Sequence, residues 1–438
     1  MKSSIFPMNL NMNRKIIFLI IVAALGYFVD IYDLVLFGVV KNESLISILP
    51  NASKQEISDT GKFLFNMQMF GMLIGGILWG ILGDKKGRIK VLFGSILLYS
   101  TANLANAFVT DVTSYAVIRI IAGIGLAGEL GAGITLVSEM MSKETRGYGT
   151  MIIVTFGALG AVVASVVGAK GEAIGQFLFE LTSVDFANWQ VAYIIGGSMG
   201  LLLLLMRVGT FESDFFTEAK DNQHIKKGDL KLIFFNRNNL LKYLHCISIG
   251  IPIWFVIGLL IMNSQNDFGP LLGLTNIENG KAVMYAYIGL SFGDLLSGIL
   301  SQVLKSRKKV VVLYLVFSGI LTIYFLFFAK EYQQLNAYAY YFLCFLLGTG
   351  TGYWAIFVTI AAEQFGTNIR STAANTIPNF VRGSVNLIMM FFGLLLAVVS
   401  TGVAALIVGV FFILLALFSI NQLKETFGKD LNYTEELM

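Results

Sequence analysis

The chain has two cysteines, two histidines and charges on only 13% of its 438 residues. Cys246 and Cys344 both lie in apolar runs, so neither a disulfide framework nor a metal cluster is expected. His224 falls in a charged stretch and His245 near a helix start, and neither has the neighbours of a metal ligand. No Gly-rich phosphate loop of the Walker type occurs, so no nucleotide-hydrolysing engine is encoded. A soluble domain carries roughly 25% charged residues, about twice the share here, and no stretch is long and polar enough for a separate soluble domain. The net charge of +4 is no argument for nucleic acid, since it resides in loop lysines. No catalytic residues and no cofactor are expected, and hence no enzyme. The N-terminus, Lys2 to Arg14, leads into a span too long for a signal-peptide core and lacks a small-residue cleavage site. The Asn51-Ala-Ser53 sequon stands alone as a hint of a secretory route.

What the chain has instead is apolar length. Hydrophobic residues make up 56%, with 45 glycines and 36 phenylalanines, a composition suited to close-packed membrane helices. Runs of about 20 apolar residues predict twelve transmembrane helices over 16–40, 62–82, 91–110, 112–138, 147–168, 188–208, 242–265, 282–304, 309–329, 336–361, 372–398 and 401–420. With both termini inside, six basic residues fall in outer loops (Lys41, Lys54, Lys62, Lys170, Lys281, Lys330), two fall in the membrane, and the other 23 of 31 are cytoplasmic. That is a strong positive-inside asymmetry. The polar stretch 209–241 divides the chain into six-helix halves, 1–208 and 242–438. A short repeat supports the division: Glu139 precedes Arg146 after helix 4, and Glu363 precedes Arg370 after helix 10, both by seven residues.

Six charges interrupt the apolar runs: Asp30, Asp33, Arg119, Glu129, Asp294 and Arg382. Each costs about 2.5–3.5 kcal/mol at mid-membrane even on lenient scales, so each should face a partner or a watery cavity. Asp30 and Asp33 are three apart and share a helix face. Asp33 and Arg119 both sit roughly 10 Å below the outer surface by helical rise, so they are a candidate pair. Asp294 and Arg382 are both near mid-membrane and are a second candidate pair, unless Arg382 binds substrate. Asn375 and Asn379 flank Pro378 on the same helix. Trp254, Asn263 and Gln265 on helix 7 and Tyr32 on helix 1 are further substrate candidates. Tyr353 and Trp354 suit packing or a cavity wall. Glu129 lies deeper and reads either as a proton site or as a gate.

Three motifs carry a family resemblance. The loop after helix 2, Gly80-Ile-Leu-Gly-Asp84-Lys-Lys-Gly87-Arg88-Ile-Lys90, resembles the signature of the major facilitator superfamily. Helix 4, Arg119-Ile-Ile-Ala-Gly123-Ile-Gly125-Leu-Ala-Gly128-Glu129, is similar to the superfamily's Arg-x-x-x-Gly-x-Gly pattern, extended as in its metabolite:proton symporters and sugar porters. Helix 1, with Asp30-Ile-Tyr32-Asp33, looks like the acidic segment of the metabolite:proton symporters. Helix 5, with Gly157-Ala-Leu-Gly160, lacks the glycine-proline signature of the drug–proton antiporters.

The resemblance implies an all-α membrane protein of twelve helices in two six-helix bundles. Its cavity would be lined by helices 1, 4, 7 and 10 with 2, 5, 8 and 11, and the bundles would rock about it in alternating access. It implies a conformational latch from Gly80, Asp84, Gly87 and Arg88 with Glu139, Arg146, Glu363 and Arg370, Asp84 locking against an arginine such as Arg146. The loop Gly298 to Lys309 keeps the bases but lacks the acid.

The expected function is proton-coupled uptake of a small organic anion or zwitterion. Asp30, Asp33, Glu129 and Asp294 would carry protons. Arg119, Arg382, Tyr32, Trp254, Asn263 and Asn379 would bind substrate. The alternatives are export of a metabolite, siderophore or drug, a sugar or osmolyte transporter, and a receptor or channel, which would need no latch. Expected partners are the substrate, protons and lipid, without nucleic acid, in a monomer of the bacterial inner membrane.

Overall fold

The computed structural model describes residues 14–169, 171–207, 227–328 and 336–436. His224, the loop charges between 209 and 226, and the outer-loop residues Lys170 and Lys330 lie outside the described residues.

Twelve long helices account for almost all of the described chain. The first half holds α1 (Arg14–Ile48), α2 (Lys54–Lys86), α3 (Arg88–Asn106), α4 (Val112–Met140), α5 (Arg146–Ala169) and α6 (Asn188–Met206). The second holds α7 (Arg237–Ile261), α8 (Asn279–Val303), α9 (Arg307–Phe328), α10 (Ala337–Glu363), α11 (Arg370–Leu396) and α12 (Thr401–Gln422). Among the described residues, eleven are long and apolar enough to cross a membrane. The twelfth, α3, has spanning length but more polar residues, and it packs inside its bundle against α4 and α6. The architecture is two six-helix bundles that meet where α2 packs on α11 and α5 on α8.

Local sequence sets the helix starts. Ser53, Asp111, Ser306 and Asn336 each accept a backbone N–H from the first turn of α2, α4, α9 and α10, satisfying donors that a helix start leaves free. Several ends differ from the hydropathy reading. α1 and α2 run past the apolar core, so Lys41, Lys54 and Lys62 lie on helix, as does Lys281 in the first turn of α8. α7 begins at Arg237, inside the stretch read as loop, and a further helix, Gly171–Thr182, lies between α5 and α6. Hydropathy finds the membrane core, whereas the backbone hydrogen bonds continue beyond it.

Four helices are irregular near their middles, α11 among them at Ser384. α4 turns at Ala127–Gly128, and α10 turns over Thr351–Tyr353. α7 contains Pro252, which removes a backbone donor, and beyond it the helix widens to π-type winding over Phe255–Ile261. These irregular turns are tolerated at membrane depth because protein covers them.

Candidate functional site

Arg382 on α11 is buried between the bundles, and its partner comes from the other half. Its Nη2 lies 3.4 Å from Asp30 Oδ2 on α1 and donates to Tyr27 Oη at 3.5 Å. Gly157 on α5 leaves room for the Tyr27 ring, which a methyl group there would strike. The guanidinium lies 5.7 Å from the Trp354 ring, and Trp254 and Tyr287, with aliphatic side chains such as Ile31 and Ile257, also line a space of about 20 Å³. That is room for a water, whereas a ligand pocket needs about 300–1,000 Å³. The space is therefore too small for a solute in this structure. Chemically it offers a planar cation, which suits a carboxylate in two-pronged contact, a carboxylate of its own, and flat aromatic walls.

Several sequence expectations are redrawn here. The Asp33–Arg119 pair is not formed. Arg119 donates to Gln68 on α2 and to Tyr193 Oη at 3.5 Å, and its guanidinium lies 4.1 Å from the Phe37 ring. Asp33 lies against Gly196 of α6, and neither of its oxygens has a hydrogen-bond partner. Residues three apart differ by about 60° around a helix, and that angle sends Asp30 to the interface and Asp33 into its own bundle. Tyr32 turns the same way, donating to Ala192 O at 2.8 Å, so it packs α1 on α6 and is absent from the central wall. Asp294 does not pair with Arg382; it accepts the Ala355 N–H at 2.9 Å. Glu129 pairs with Arg207, the buried residue that ends α6. Asn263, just past the end of α7, donates back to Leu259 O at 2.8 Å. Asn379 donates to Ala127 O at 3.0 Å, catching a carbonyl at the α4 break across the interface. Of the substrate candidates, Arg382 and Trp254 line the central space.

The second charged site lies at the end of the molecule that carries the basic loops. Gly87 has φ +103°, a conformation that favours glycine, and it turns α2 sharply into α3. Asp84 does not meet Arg146. Its oxygens accept the backbone N–H groups of Ser371 and Thr372, each at 2.9 Å, and the Thr372 hydroxyl at 2.7 Å. It thus caps α11 of the opposite half, with Arg88 at 3.8 Å. Gly80 permits this approach, since a Cβ there would strike Thr372.

The repeated Glu–Arg pairs cross over. Glu139 accepts Arg88 of its own half at 2.9 Å and Arg370 of the other half at 2.8 Å. Glu363 accepts Arg307 of its own half at 2.7 Å and Arg146 of the other half at 2.6 Å. Sequence reading missed Arg307, although the signal was present: it opens α9 as Arg88 opens α3. It also missed the tail after α12. Carbonyls of Lys429 and Leu431 accept Arg146 at 2.7 Å and Arg370 at 2.5 Å. All six side chains of this network are buried, and the two crossings join the halves at the basic end.

The Major Facilitator Superfamily profile matches residues 17–377. The chain is 25% identical over 369 residues to the "Putative niacin/nicotinamide transporter NiaP" of Bacillus subtilis (strain 168), covering 82% of this chain and 84% of that one. It is 27% identical over 215 residues to the benzoate transport protein of Acinetobacter baylyi, covering 47% and 42% of the two. It is 30% identical over 147 residues to the 3-(3-hydroxy-phenyl)propionate transporter of Escherichia coli (strain K12), covering 33% of each. Among solved structures, the proton:xylose symporter XylE bound to 6-bromo-6-deoxy-D-glucose superposes with a TM-score of 0.73 at 18% identity, over 96% of this chain and 98% of that one. The profile covers most of the chain, and twelve helices in two bundles agree with it: the chain belongs to the major facilitator superfamily and is an integral membrane transporter, not an enzyme.

Proposed function

We propose that this transporter takes up a small aromatic carboxylate together with protons, by alternating access about the Arg382 site. The observation that carries the reading is the Arg382–Asp30 pair, which ties the two bundles through one guanidinium set among aromatic rings. While Asp30 is ionised it holds Arg382. A proton on Asp30 removes that attraction and frees the guanidinium for a carboxylate. Proton and substrate then favour each other's binding, and that reciprocity is coupling. Trp254, Trp354 and Tyr287 offer faces on which a planar ring can stack. Relatives named for niacin, benzoate and a hydroxyphenylpropionate are consistent with this substrate class. The basic end is assigned to the cytoplasm of a bacterial inner membrane by its lysines and arginines, so the described state is closed to the cytoplasm. The working unit is a monomer, since the site is complete within one chain.

The test is uptake of labelled nicotinate and benzoate by proteoliposomes under an imposed pH gradient, acid outside. Native protein should accumulate at least one of the two above equilibrium. Asp30→Asn should equilibrate it without accumulation, and Arg382→Lys should lose uptake because the planar fork is gone. Uptake that ignores the gradient, or full activity in Arg382→Ala, would refute the proposal.

A further inference from the structure

α10 stops at Gly350 and resumes at Trp354. A helix that restarts at membrane depth exposes unsatisfied N–H groups in its first turn, with no water to take them. Its own N-cap residue, Tyr353, provides no side-chain cap. The missing acceptor comes from α8: Asp294 Oδ1 receives the Ala355 N–H at 2.9 Å. Asp294 is fully buried and, among the described residues, lies in no ion pair. A carboxylate at a helix N-terminus also opposes the helix dipole favourably.

The approach of the two helices is built for this contact. A Cβ on Gly352 would fall on the backbone of Gly293 and Asp294, so the break of α10 sits directly on α8. Tyr314 donates to Gly293 O at 3.0 Å, packs edge-on against Tyr353, and closes the far side. Trp354, the first residue of the resumed helix, places its ring 4.9 Å from Phe357 and 5.7 Å from the Arg382 guanidinium. The residue that fixes where the helix restarts therefore also fixes an aromatic wall of the central site.

We propose that Asp294 is a positioning residue: it caps the second half of α10 from α8, sets the Trp354 ring beside Arg382, and carries no coupling proton. The proposal rests on the reading of Asp30 and Arg382 above and deepens it, because it assigns two buried acids of the central region different tasks. Asp30 faces a guanidinium it can release, whereas Asp294 faces a backbone N–H.

Non-titrating caps separate the two roles. Asp294→Asn and Asp294→Ser keep an acceptor for Ala355 and cannot take up a proton; Asp294→Ala removes the acceptor. In proteoliposomes, Asn and Ser variants should still accumulate an aromatic carboxylate under a pH gradient, with KM raised less than about threefold. The Ala variant should raise KM by about fivefold or more, the scale of a lost helix cap, while keeping the same gradient dependence. Tryptophan emission of purified protein should change in the Ala variant and not in the Asn variant. Loss of gradient-driven accumulation in both non-titrating variants, with exchange preserved, would make Asp294 the proton carrier and overturn the proposal. So would a native KM and native emission in Asp294→Ala. Should the Ala variant fail to insert, the Asn and Ser variants decide. If native protein takes up no aromatic carboxylate, the substrate reading fails separately, and the emission comparison still tests the cap.

Discussion

Replacing Glu363 by glutamine tests whether the crossed pairs hold the basic end shut. Glu363 accepts Arg146 Nε at 2.6 Å, and Arg307 through Nε at 2.7 Å and Nη2 at 2.8 Å. When the basic end opens, Arg307 travels with Glu363 because both belong to the second half. Only the bond to Arg146 is broken. A hydrogen bond between ionised partners contributes about 1.5–3 kcal/mol, and a neutral one about 1 kcal/mol. Glutamine keeps an oxygen but loses the charge, so the closed state should weaken by about 1–2 kcal/mol, a shift of roughly 5- to 30-fold towards the open state. The assay uses a protein with Cys246 and Cys344 replaced by serine and Met151→Cys added. Met151 is a seam residue of α5, since a Cβ on Gly298 of α8 would strike it. In inside-out vesicles a membrane-impermeant maleimide should label this position 5- to 30-fold faster in Glu363→Gln. Arg146→Gln, which also loses the bond to the Lys429 carbonyl, should give at least as large an increase, and the double variant no more than Arg146→Gln alone. Unchanged labelling, or two increases that multiply, would refute the crossed-pair account.

Two further outcomes follow from the same geometry. Because Arg119 is held by Gln68 and not by Asp33, the defects of Asp33→Asn and Arg119→Gln in membrane expression should add, whereas Gln68→Leu and Arg119→Gln should couple; a double-mutant cycle measures both. Burial, reinforced by nearby Lys242, lowers the Lys429 ammonium in the tail from its ordinary 10.5 to about 8. The docked tail thus binds fewer protons than the free tail between these values. Docking should strengthen as pH rises from about 8 towards 10.5 and be flat below 8. Amide exchange of residues 424–434, corrected for base catalysis, reads this dependence, and Lys429→Met should abolish it.

Much of the molecule was legible from local sequence. Hydropathy needs no knowledge of neighbours, so the spans appeared within a few residues, although the ends did not, because capped helices such as α2 continue past lipid. All four residues of the Glu139–Arg146 and Glu363–Arg370 repeat lie in the crossed network. Pairing was a different matter. Depth along the helix suggested Asp33 with Arg119 and Asp294 with Arg382, yet partners are chosen also by angle around the axis and by which helix stands opposite. A glutamine on α2, a backbone break in α10 and an acid three residues away took those places.

What the sequence by itself determined is a membrane protein of two repeated halves, its family, and the identity of its costly buried charges. These depend on composition, periodicity and short motifs. Tertiary structure alone decided that Arg382 meets Asp30 across the interface, that Asp84 caps α11, that each repeat glutamate binds the other half's arginine, and that the tail carbonyls complete the network. Each of those contacts joins residues far apart in the chain, and their free energy comes from excluding water where two bundles meet. No window of sequence contains that surface.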